Sequence, residues 1–88
     1  MTHDQLAREF SELNGIPCTG SHGYLDGKEC TFSDAASILK VMLKHPKWDS
    51  FLEIIGGYDE DGWQYVRAHY IYNKDSLLKV AVEWCKEN

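Results

Sequence analysis

Long apolar runs are missing from this chain: none exceeds a few residues before a charge or a glycine interrupts it. A helix that crosses a bilayer needs roughly 18 to 20, so neither a spanning segment nor a membrane partner is expected. Basic residues are scarce, nine Lys and Arg against fourteen Asp and Glu, and they stand singly along the sequence, giving a net charge of −5. Direct nucleic-acid binding needs clustered cations on the phosphates, and none is formed. Cysteine is limited to three widely spaced residues, Cys18, Cys30 and Cys85, and no apolar leader segment follows Met1. Such usage fits reduced thiols in a cytoplasm rather than a disulfide framework. Internal repeats and low-complexity tracts are likewise missing.

What is present is a folding composition. Of 88 residues, 43% are hydrophobic, 12% aromatic and 26% charged, which suits one small domain over residues 1–88 with a modest core. Acids outnumber bases in both halves, so neither end reads as a charged tail.

The periodicities divide the chain. Thr2 and Gln5 have capping-box spacing, and Leu6, Phe10 and Leu13 recur at helical intervals, predicting a helix over roughly 3–13 that ends at Asn14-Gly15. Gly20, Gly23 and Gly27 mark 18–30 as a loop or irregular hairpin, with Asp26-Gly27 as its turn. Ser33 as N-cap, Asp34 in the first turn and an apolar stripe through Ile38, Leu39 and Met42 predict a helix over roughly 34–44, closed by His45-Pro46. Trp48, Phe51, Leu52 and Ile55 repeat as a short helix closed by Gly56-Gly57, although 51–55 also reads as a strand. Residues 63–72 alternate aromatic and β-branched side chains and read as one strand, with Gln64, Val66, Ala68, Tyr70 and Tyr72 on one face and Trp63, Tyr65, Arg67, His69 and Ile71 on the other, one of which needs cover. Asn73 or Asp75 caps a last helix over roughly 75–86. The layer rules then give an α+β fold, a small antiparallel sheet packed between helices.

The second half carries a resemblance. Thr31-Phe32-Ser33-Asp34-Ala35-Ala36, Trp48-Asp49-Ser50-Phe51-Leu52, Gly62-Trp63 with Tyr70, and Asn73-Lys74-Asp75-Ser76-Leu77-Leu78 leading to Ala81 and Trp84 are similar to small bacteriophage and prophage proteins of the phage ABA sandwich type. The resemblance covers about two thirds of the chain and implies a helix-sheet-helix sandwich of phage origin, in a family largely of unknown function. Some members carry a cysteine- and histidine-rich N-terminal segment. Here that stretch holds Cys18, His22 and Cys30, without a Cys-x-x-Cys pair.

Several groups are candidates for chemistry. Cys18, His22 and Cys30, joined by His3 or His45, have the ligand types of a tetrahedral zinc site that would stabilise a glycine-rich segment. Structural zinc shows two close ligand pairs, however, and this chain has one, so unligated thiols are expected. A Cys18 nucleophile with His22 as base lacks an orienting acid and an oxyanion hole. Asp59, Glu60 and Asp61 do not have the alternating spacing of a calcium loop and read as a solvated turn. Gly20-Ser21-His22-Gly23 has the outline of a KH-type loop without its basic residues. The best candidate surface is Trp63, Tyr65, Arg67 and His69, residue types that dominate protein interfaces, flanked by Asp59, Glu60 and Asp61; a helix layer covering that face is the competing reading and carries the greater weight. The reading that results is a non-enzymatic phage accessory protein that binds another protein. Its acids, with Glu83 and Glu87, would enter the basic groove of a host nuclease or defence complex, and a homodimer through the sheet edge or the Trp63 face is open to it.

Overall fold

In the computed structural model, helix α1, His3–Leu13, begins where the sequence places it. The Gln5 amide donates to Thr2 Oγ1 at 3.3 Å and the Thr2 amide donates to Gln5 Oε1 at 2.9 Å, a closed capping box. The helix stops at Asn14, and Gly15 follows in the left-handed region at φ +67°. Leu6, Ala7, Phe10 and Ser11 form its buried face. The structure describes residues 2–19, 22–25 and 27–88, the side chains of Thr19, His22 and Lys74 excepted. Gly20 and Ser21 of the glycine loop, and Asp26 of the expected turn, lie outside that set.

The glycine-rich stretch forms three short strands, β1 (Cys18–Thr19), β2 (His22–Leu25) and β3 (Lys28–Cys30), in an antiparallel sheet of that order. Leu25 pairs with Lys28, and Gly27 turns the chain between them at φ +78°. The sheet lies on α1 at Gly23, where a Cβ would stand 2.7 Å from Ser11 Oγ and 3.0 Å from the Phe32 ring. Phe32 itself is fully buried at φ +52° with its ring edge-on to Phe10, the centroids 5.1 Å apart. A left-handed aromatic residue costs of order 1–3 kcal/mol, which the ring's burial, about 2–3 kcal/mol, offsets. His3 fastens the same loop: its Nδ1 is 2.7 Å from an Asp75 carboxylate oxygen and its Nε2 2.8 Å from the Thr31 carbonyl.

Helix α2 is Ala35–Met42, and its N-cap is Asp34 rather than Ser33. The Ser37 amide donates to Asp34 Oδ1 at 2.8 Å, whereas the Ser33 hydroxyl is engaged with Thr31 Oγ1. Hydrogen bonds from Ser37, side chain and then amide, hold the Asp34 carboxyl below its ordinary value of 3.8. Because folding lowers this pKa, the contribution is present above the ordinary carboxylate range and is lost as pH falls through the lowered value. Asp34→Asn keeps an acceptor for the amide and is expected to flatten the acid limb of stability, measured as unfolding midpoints from neutrality to about pH 2.5. Asp34→Ala is expected to cost about 1 kcal/mol at neutral pH.

Residues 48–55 are helical, as α3 (Trp48–Ile55). Gly56 does not cap it in a left-handed conformation; at φ −118° it runs straight into β4 (Gly56–Tyr58), which pairs antiparallel with β5 (Gln64–Val66). The strand expected over 63–72 is therefore corrected. It ends at Val66, and Ala68–Tyr72 is helix α4. The reason is a contact between segments: the Arg67 amide donates to the Ile55 carbonyl at 3.0 Å, and the Arg67 carbonyl then accepts from Tyr70 and Ile71, turning the chain into a helix. Val66 and Tyr70, four residues apart, are the partly buried pair packed on the core, so a helical period was hidden inside the alternation.

Helix α5, Lys74–Glu87, is capped by Asn73, whose Oδ1 accepts from the Ser76 amide at 3.3 Å. It is the central element, touching α1, α2, α3 and α4. Leu77, Leu78, Ala81, Val82 and Trp84 join Phe10, Ile38, Met42, Phe51 and Ile55 in one buried cluster. The fold is α+β with small antiparallel sheets among the helices, as the sequence predicts, and the β structure is divided between two sheets. Among the described residues no helix is long and apolar enough to cross a membrane.

Candidate functional site

The β4–β5 hairpin is built around its turn. Asp59 Oδ1 accepts from the amides of Asp61 and Trp63, both at 2.9 Å, the Asp59 amide donates to the Trp63 carbonyl at 3.0 Å, and Gly62 closes the turn at φ +84°. One of the three expected acids is therefore committed to holding the loop, and Glu60 and Asp61 remain to face solvent. At the base, Arg67 Nε donates to the Gly56 carbonyl at 3.2 Å. Together with the Arg67 amide on Ile55 it supplies donors and a positive charge to the carbonyl end of α3.

On this frame the aromatic residues stand outward. Trp63 is 73% exposed, Tyr58 62% and Tyr65 49%. The Tyr58 hydroxyl accepts from Gln64 Nε2 at 3.0 Å. Tyr65 lies across Gly57, where a Cβ would come within 3.0 Å of its hydroxyl oxygen. Beneath Tyr58, Gln64 and Arg67 is an open recess of about 290 Å³ floored by Leu52 and Gly57.

The structure thus brings Asp59, Glu60, Asp61, Trp63 and Tyr65 into one hairpin with Arg67 at its base. His69 does not continue the row. It lies in α4 with its ring edge-on to Tyr70, the centroids 5.2 Å apart. Glu83 lines a different recess, between α1 and α5, with Lys79 and Lys86. Sequence reasoning missed Tyr58, and it placed Tyr72 in a long strand on the face opposite Trp63, whereas Tyr72 is 88% exposed at the end of α4 beside the half-exposed Ile71. The signal for Tyr58 was its position at the foot of the acidic turn, which makes a hairpin pair it with Gln64.

The second group is dispersed. Cys18 and Cys30 share a sheet row with Gly23 between them, and His22 belongs to the next row, opposite Thr19. Two strand spacings separate the cysteines' backbones by roughly 10 Å, beyond disulfide reach. The His22 side chain, and with it the complete Cys18–His22–Cys30 set, lies outside the described residues. Among the described residues no three His, Cys, Asp or Glu side chains gather as a metal-binding group. His3 is held by Asp75 and Thr31, and His45 accepts the Lys47 amide while packing on Trp84. Cys85 is half-buried between Asn14 and Met42, and burial pushes its thiol pKa up, which disfavours the reactive thiolate.

Comparison with protein-family models, with curated proteins and with solved structures finds no match to this chain.

Proposed function

We propose that this chain is a non-enzymatic protein of phage or prophage origin that acts in the bacterial cytoplasm by binding another protein. Its docking element is the β4–β5 hairpin, and its target is a host nuclease or defence complex with a basic nucleic-acid groove. The observation that carries this reading is Trp63, 73% exposed beside Tyr58 and Tyr65 on a hairpin whose turn is fixed by its own hydrogen bonds. Large aromatic residues on a preorganised support lose little conformational entropy on docking, which favours their use as interface anchors. Glu60 and Asp61 at the tip supply the sign of charge that such a groove attracts. The phage assignment rests on the resemblance of the second half of the sequence.

The test is capture from host lysate on immobilised protein, followed by affinity measurement with the purified partner. Trp63→Ala is expected to weaken the complex at least about tenfold, the effect of losing a hot-spot side chain of roughly 1.4 kcal/mol or more. Paired Glu60→Lys and Asp61→Lys changes are expected to slow association and to reduce its dependence on salt. Binding that neither variant alters would overturn the assignment of this surface.

A further inference from the structure

The end of α2 and the turn into α3 carry a concentration of positive charge that the acidic total conceals. Residues 40–47 contain Lys40, Lys44, His45 and Lys47 and no acid. Lys44 and Lys47 are exposed, and Leu43 between them and α2 is 58% exposed. Beside this turn an open groove of about 390 Å³ is walled by Leu13 and Ile16 at the end of α1, Leu25 of β2, and Val41 and Pro46, with Lys44 on its rim. The groove is mostly apolar, with Asn14, Lys44 and His45 as its polar lining. The hairpin tip, Tyr58 through Trp63, is its complement: two exposed aromatic rings flanking three acids and no base.

The two surfaces lie at opposite ends of α3, the basic turn immediately before Trp48 and the hairpin immediately after Ile55. A helix of 8 residues separates its ends by about 12 Å. We propose that the hairpin of one copy docks in the α1–β2–α2 groove of a second copy, joining the chains head to tail. The proposal rests on the reading of the hairpin as a docking element and adds an occupant for the groove. Trp63 and Tyr58 supply apolar contact, and Glu60 and Asp61 meet Lys44 and Lys47. The net charge of −5 does not oppose this strongly, because at physiological salt charges more than about 8 Å apart are screened while the apposed groups are in contact. A tip of this size makes a small interface, below about 1,200 Å² in total, so association is weak and reversible. Since donor and acceptor surfaces differ, the contact is heterologous and is not limited to a symmetric pair. Self-association covers the partner-binding surface and therefore competes with the partner.

Sedimentation velocity of the intact chain from about 5 to about 500 μM tests it, this being the range in which a weak interface titrates. The expected result is a sedimentation coefficient that rises with concentration and rises less at high salt. Trp63→Ala and the pair Lys44→Glu and Lys47→Glu, all at exposed positions, are each expected to sediment as monomers. Mixed together, the two variants are expected to form a one-to-one complex and stop there, because only one hairpin and one groove remain intact. Monomers at every concentration, or association untouched by the lysine pair, overturn the proposal. So does self-association of the lysine variant alone, which would indicate hairpin against hairpin. If the chain is monomeric but partner capture stays sensitive to Trp63→Ala, the groove proposal falls and the hairpin reading stands.

Discussion

Gly56→Ala is expected to destabilise the protein by about 3 kcal/mol or more, lowering the thermal midpoint by roughly 12 °C or more for a domain of this size. An added Cβ would stand 2.6 Å from the Tyr65 carbonyl oxygen and 2.7 Å from that of Leu52. Both are backbone atoms, one in β5 and the other in α3, so neither can swing aside as a side-chain tip would. Gly56 is at φ −118°, a conformation any residue adopts, so its requirement is for space. Gly62 is the control: it turns the hairpin at φ +84° with open space where a Cβ would be. Gly62→Ala therefore meets only left-handed strain, about 1 kcal/mol. Equal losses in the two variants, measured by denaturant unfolding with unchanged slopes, would contradict the close approach of β5 to the end of α3. Gly56→Ala also bears on function, since the hairpin has to tilt off α3 to admit the methyl and would carry Trp63 with it.

How much of this was legible in the sequence follows from which forces were local. α1 and α5 were readable because cap and apolar period agree, Thr2 with Gln5 and Asn73 with Leu77 and Leu78, and α3, which has no side-chain cap, was readable from the period of Trp48, Phe51 and Ile55 alone. The boundary at Arg67 was not, because it is set by a hydrogen bond to Ile55, twelve residues away in the chain. A period-2 pattern of aromatic residues could not reveal that long-range bond, and Tyr72, placed by that pattern in the strand, stands almost fully exposed at the end of α4. Trp63 and Tyr65 survived the error because they precede the boundary. The groove at α2 was invisible for another reason: its walls come from three elements, and no single segment carries a signal for it. The basic turn at its rim was in plain view, but an acidic total and scattered spacing hid its meaning.

Gly23 supplies the second large effect, and it is coupled to a named partner. β2 approaches α1 so closely that a Cβ at Gly23 would lie 2.7 Å from Ser11 Oγ, 3.0 Å from the Phe32 ring and 3.3 Å from Ile16 Cγ2. Ser11 is fully buried and donates its hydroxyl to the Ala7 carbonyl at 2.9 Å, which fixes the oxygen where the methyl would go. Gly23→Ala is therefore expected to cost about 2–3 kcal/mol. Ser11→Ala alone removes a hydroxyl together with its hydrogen bond to a carbonyl on its own helix, and is expected to stay within about 1 kcal/mol. In the double variant the nearest obstacle is gone while the Phe32 contact remains, so recovery is partial: the pair is expected to be at least about 1 kcal/mol more stable than Gly23→Ala. Strictly additive losses would show that the hydroxyl is not what β2 packs against. Because Ile16 and Leu25 wall the groove beside the basic turn, displacing β2 from α1 also reshapes that groove. Gly23→Ala should then weaken self-association beyond its effect on folding, and the Ser11→Ala companion should recover part of both together.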